Sequence, residues 1–141
     1  MLLLLFAVVI YAVLALATSY LLPFLSVPLV LLVIYALPLL LNFIVYKVQK
    51  GEWKFWTALV LPTVSVAAYL LFAYLTSSNG TWIEFAQMNM ISDEDMQLDI
   101  ALNLFDGSQI LFISLLFYGV SLASHFISNK VSSKGVKHAQ N

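Results

Sequence analysis

Asp95, Asp99, Asn103 and Asp106 recur at intervals of 4, 4 and 3, the spacing that lines up side chains on one face of a helix. Clustered carboxylates are the hard oxygen donors that Ca²⁺ or Mg²⁺ takes, and they are equally a negative surface for a protein partner. The alternating ligands and central glycine of a calcium loop are missing around Ser92-Asp93-Glu94-Asp95, so the expectation is a partner-binding face without metal. Paired carboxylates can also hydrolyse glycosides, but nothing else in the chain builds a sugar cleft.

A second constellation lies further on. Ser114, Tyr118, Ser121, His125 and Ser128 recur at 4, 3, 4 and 3, one seam of a packed helix, and Gly119 with Ala123 adds a small-xxx-small pair that lets another helix approach closely. Asn42 is the other polar side chain at depth in an apolar stretch, placed to bond near His125 or to reach the interface. Polar groups in lipid need partners, so the seam faces protein or water. Its chemistry is either a proton or solute path with His125 titrating, or interhelical hydrogen bonding worth about 0.6 kcal/mol per contact. The structural role is the expectation.

Other chemistries lack their residues. The chain has no Cys, hence no thiolate ligand, nucleophile or disulfide. Its six basic residues are all Lys, so no guanidinium fork is present for bidentate phosphate capture. G-x-S-x-G and H-E-x-x-H do not occur, and one His at depth leaves no axial pair for haem. No basic patch with interleaved aromatics marks a nucleic-acid surface. No catalytic residue and no cofactor is assigned.

The elements that position these residues are set by hydropathy. Hydrophobic residues make up 62% of the chain and charged residues 9%, far below the roughly 25% of soluble domains. Met1 to Tyr46 contains no Asp, Glu, Lys, Arg or His. As one helix it would run about 69 Å, twice a hydrocarbon core, so it reads as two spans broken at Pro23, Ser26 and Pro28. The expected fold is an all-α integral membrane protein of one domain. Four transmembrane helices, at about 2–22, 28–46, 55–75 and 109–127, form a bundle. Pro38 and Pro62 kink two of them. Ala15-Leu16-Ala17 resembles a signal-peptide cleavage site, but the basic n-region is missing and the segment reads as a span.

Charge then sets the threading. Lys47, Lys50 and Lys54 flank one turn, Lys130, Lys134 and Lys137 lie in the 128–141 tail, and every acidic residue except Glu52 falls in the 76–108 connection. Lys-bearing loops stay in the cytoplasm, so both termini are expected there and the 76–108 loop outside. Trp53, Phe55 and Trp56, and at the other end Tyr74 and Trp82, mark the interfaces. Thirty-three residues are long for a structureless loop. Trp82, Ile83, Phe85 and Ala86 read as an apolar patch on the membrane surface. Ser92 to Asp106 reads as a capped amphipathic helix, ended by Asp106-Gly107.

The expected function is that of a small non-enzymatic membrane protein acting through partners, of the accessory-subunit or toxin-immunity kind, docking through the acidic external helix. The alternative is a small oligomeric transporter or channel component using the span-four seam. The bilayer, and either a protein partner or further copies of the chain, are the expected partners.

Overall fold

Prolines, one left-handed glycine and four apolar runs decide where the helices form and break. The computed structural model describes residues 2–49, 53–92, 97–98 and 100–138, with backbone alone at 53, 91–92, 97–98 and 128–138. Helix α1 covers Leu2–Leu21 and ends in a 3₁₀ turn, Leu22–Phe24, where Pro23 has no N–H with which to continue the α-helical ladder. Helix α2, Val27–Leu31, carries Pro28 in its first turn, where a missing N–H has no intrahelical partner to lose. A π-helical turn, Leu32–Ala36, links it to α3, Leu37–Val48. Pro38 accounts for this wide turn: it cannot donate to the carbonyl four residues back, and the Leu37 N–H instead reaches the Leu32 carbonyl five back.

Helix α4 spans Trp53–Ser78 with Pro62 inside it. Gly80, at φ 78°, turns the chain through the left-handed region that side chains other than glycine's resist, and α5, Thr81–Asn89, follows. Two short strands, β1 (Ile91–Ser92) and β2 (Gln97–Leu98), pair antiparallel, and α6 runs from Gly107 to His138. Four stretches are long and apolar enough to cross a membrane: Leu2–Phe24, Val27–Val48, Lys54–Ser78 and Gly107–Ile127. They coincide with the four expected spans to within about three residues.

Helix α4 packs against α1, α3, α5 and α6. On α1 the buried residues Ala7, Tyr11, Ala15 and Thr18 recur every three or four positions and form its single inward stripe. One core, around Tyr69, Phe72, Trp82, Phe85, Ile113 and Phe117, lies at the end of the helices where the 79–106 connection returns. A smaller one, Ala7, Tyr11 and Leu61, lies toward the other end. The outward faces carry Leu5, Phe6, Val9, Leu40, Phe43, Leu111, Phe112, Leu115 and Phe126, all exposed.

The connection departs from expectation. A short amphipathic helix does lie between spans three and four, but it is Thr81–Asn89, with Trp82, Phe85 and Ala86 turned inward and Ile83, Glu84 and Met88 outward. Trp82 and Phe85 are therefore core residues and not a patch on the membrane surface. The helix expected over 92–106 is absent from its described part. Ser92 pairs with Gln97 as a strand, and residues 100–106 are irregular, with a bend at Leu102 and a turn at Leu104–Phe105. The Ala101 carbonyl that such a helix needs is taken by a tertiary partner, Trp82 Nε1 (2.9 Å), and Tyr69 Oη donates to the Leu104 carbonyl (3.0 Å). The Phe105 N–H, which would have bonded to Ala101, donates to Asn103 Oδ1 at 3.0 Å.

Candidate functional site

Asp95 and Asp99 lie outside the described residues. Asn103 and Asp106 are exposed, and each is engaged with nearby backbone. Asn103 makes the turn at Phe105. Asp106 precedes the first residue of α6: its carbonyl accepts the Ile110 N–H at 3.0 Å, and the Ser108 hydroxyl donates to its Oδ2. That hydroxyl, with the backbone N–H groups of Ser108 and Gly107, holds the Asp106 carboxyl below its ordinary range. Asp106-Gly107, read from sequence as a helix stop, is a helix start, because Asp is a strong N-cap and an anion suits that end of the helix dipole.

Of the α6 seam, Tyr118, Ser121 and His125 meet partners on other helices, and the Ser128 side chain lies outside the described residues. Tyr118 Oη lies 2.7 Å from Thr63 Oγ1, and His125 Nδ1 lies 3.0 Å from Tyr46 Oη. The ring of His125 also meets those of Phe55 and Phe126 edge-on. Ser121 donates to the Ala58 carbonyl at 2.8 Å. Ala58 is the residue four before Pro62, so this carbonyl is the one that proline leaves without its helical donor, and a hydroxyl from α6 replaces it. Ser114 is half-buried. Gly119 and Ala123 face outward, and a methyl group at Gly119 would meet nothing within 4 Å, so this pair is not a contact between helices of this chain. Beside the seam, Ile113 and Phe117 are fully buried in the larger core.

Asn42 bonds elsewhere than to His125. Tyr11 Oη donates to Asn42 Oδ1 (2.6 Å), and Asn42 Nδ2 donates to Ser65 Oγ (3.0 Å), which donates to the Leu61 carbonyl (3.0 Å). Helices α1, α3 and α4 are tied at one level, and no buried side-chain polar atom among the described residues lacks a partner. Tyr11, Tyr46, Ser65 and Thr63 were not singled out from sequence. The signal available was that a tyrosine within a span carries a hydroxyl that needs a partner.

The feature with the geometry of a binding site is a partly enclosed cavity of about 300 Å³ beneath the connection. The second span contributes Val30, Ile34 and Tyr35, α4 contributes Tyr69 and Phe72, α5 contributes Trp82 and Phe85, and the connection closes it with Ile100 and Leu104. Trp82 is fixed edge-on to Phe72 (6.1 Å between ring centres) and tilted against Phe85 (5.6 Å). The polar groups at the walls are already engaged: Gln109 Nε2 donates to Tyr35 Oη at 2.9 Å, and Tyr69 and Trp82 donate to the carbonyls named above. What remains facing the cavity is aliphatic and aromatic surface, suited to an apolar molecule. Among the described residues, no three His, Asp or Glu side chains converge as metal ligands. No family model, curated protein or solved structure matches this chain.

Proposed function

We propose that this chain is an integral membrane protein, a bundle of four transmembrane helices, that binds an apolar molecule in the cavity beneath the 79–106 connection and is not an enzyme. The observation that carries this reading is the cavity itself: about 300 Å³, walled by Val30, Ile34, Phe72, Trp82, Phe85 and Ile100, with its polar rim groups bonded to one another. That volume falls at the lower end of the roughly 300–1,000 Å³ typical of small-molecule sites.

Membrane insertion is supported by the outward Leu, Val and Phe side chains on all four spans, a continuous apolar surface that soluble monomers do not present. Exposed Trp56 and Phe55 near one end and Tyr74 near the other suit the two headgroup regions. By the positive-inside rule the 47–54 segment, with Lys47, Lys50 and Lys54, and the Lys-bearing 128–141 tail are cytoplasmic and the connection is extracytoplasmic. Docking of a partner on one helical face of Asp95, Asp99, Asn103 and Asp106 loses its support, since Asn103 and Asp106 serve a turn and a cap. The transport reading loses support too, because Tyr118, Ser121 and His125 are committed to bonds with neighbouring helices.

The test is photolabelling in vesicles with a long-chain alcohol carrying a diazirine. Label is expected on cavity residues of the second span, α4 and α5 as well as on outward faces. Ile100→Trp, which fills the cavity, should abolish the first set and spare the second. Label confined to outward residues such as Phe6 and Leu115 overturns the proposal.

A further inference from the structure

Beside the cavity runs an open groove between the second span and α6. Its walls are Leu32, Ala36 and Leu39 on one side and Phe112 and Leu116 on the other. Leu31, Tyr35 and Gln109 line both cavity and groove, so the two adjoin, and the Tyr35–Gln109 hydrogen bond lies in the wall between them. From Val27, at the top of the cavity, to Leu39, at the bottom of the groove, twelve residues of helix rise about 18 Å. One leaflet of a hydrocarbon core, half of about 30 Å, is about 15 Å deep.

Resting on the binding role proposed above, we infer that the occupant is one acyl chain of a phospholipid from the leaflet on the connection side. It is admitted sideways from the bilayer between the second span and α6, past the Tyr35–Gln109 bond. The length of the apolar track matches one leaflet and its direction follows the helix axes, as lipid chains do. The enclosed part is too small for a helix of about 10 Å diameter, which excludes a second copy of a span as the occupant. On the water side, the described part of the connection is held by the Trp82–Ala101 and Tyr69–Leu104 bonds, and Trp82 packs edge-on to Phe72. On the groove side the wall is the Tyr35–Gln109 hydrogen bond, and Tyr35 sits in the π-turn; π-turns inside helices recur at functional positions. Opening there breaks one bond between two flexible side chains and leaves the helix ladders intact.

The experiment uses the full chain in vesicles containing a phospholipid with a diazirine on one acyl chain. The chain has no cysteine, so Leu32→Cys with Phe112→Cys can be bridged by a short reagent containing a cleavable disulfide. The expected result is labelling of Phe72, Trp82 or Phe85 in the unbridged protein, loss of that labelling in the bridged protein, and recovery on reduction. Tyr35→Phe with Gln109→Leu, which removes the latch but keeps the bulk, should label the cavity faster. Undiminished cavity labelling in the bridged protein overturns the lateral route while leaving apolar binding standing. Labelling by a diazirine fatty acid supplied from water, but not by the phospholipid, overturns the lipid occupant. If neither these probes nor the long-chain alcohol reaches the cavity, both proposals fall.

Discussion

Ser121 shows how one side chain repairs a defect that a distant residue creates. Pro62 lies within α4 and cannot donate to the Ala58 carbonyl, and Ser121, 63 positions along the chain from Ala58, donates instead. Ser121→Ala should therefore destabilise the protein by about 0.6 kcal/mol and at most about 1.7, the range of interhelical bonds in membranes. In a Pro62→Ala background the backbone N–H returns and the same change should cost close to nothing. Reversible unfolding in mixed micelles, run as a double-mutant cycle, measures the difference; equal costs in both backgrounds would show that the bond is incidental. The seam to which Ser121 belongs was legible from its 4-3-4-3 spacing. Its acceptor was not, because a free carbonyl leaves no mark in the pattern of side chains.

At the scale of elements, the connection is where local signals misled. Ser92, the acidic triplet and the apolar positions Met96, Ile100 and Leu104 satisfy the rules for a capped amphipathic helix. Those rules count bonds within the segment, and here Trp82 takes the Ala101 carbonyl from outside it while the Phe105 N–H turns to Asn103. The helix forms instead at Thr81–Asn89, launched by Gly80, whose positive φ aims α5 back over the cavity. Gly80→Ala should cost about 1–2 kcal/mol from left-handed strain alone, since an added methyl has open space around it. Gly80→Asn should cost less, asparagine being the better-tolerated residue in that conformation. Thermal unfolding of the three proteins orders them; Ala equal to Gly would mean that the turn relaxes to another conformation.

For the molecule as a whole, threading is the property on which the functional reading depends. A cavity under the connection meets the extracytoplasmic leaflet only if the Lys-bearing turn and tail are cytoplasmic. Single cysteines placed at Ser78 and Ser133 should react with an impermeant maleimide from opposite sides of sealed vesicles. Reaction from the same side would overturn the proposed topology, and with it the leaflet from which the acyl chain is drawn.

By itself the sequence determined four helices long and apolar enough to cross a membrane, and the proline breaks in them, because chain hydropathy and proline's missing N–H act over a few residues and need no partner. It likewise placed the polar face of α6, since helical spacing is local. Only the tertiary structure decided which polar groups meet, because hydrogen bonds such as Tyr11–Asn42, Gln109–Tyr35 and Tyr46–His125 join residues 31, 74 and 79 positions apart. It also decided that Trp82 and Phe85 turn inward. An apolar helix face can cover protein or lipid equally well, and here the cavity-side aromatics, with the Ala101 carbonyl held for the indole N–H, made protein the better partner.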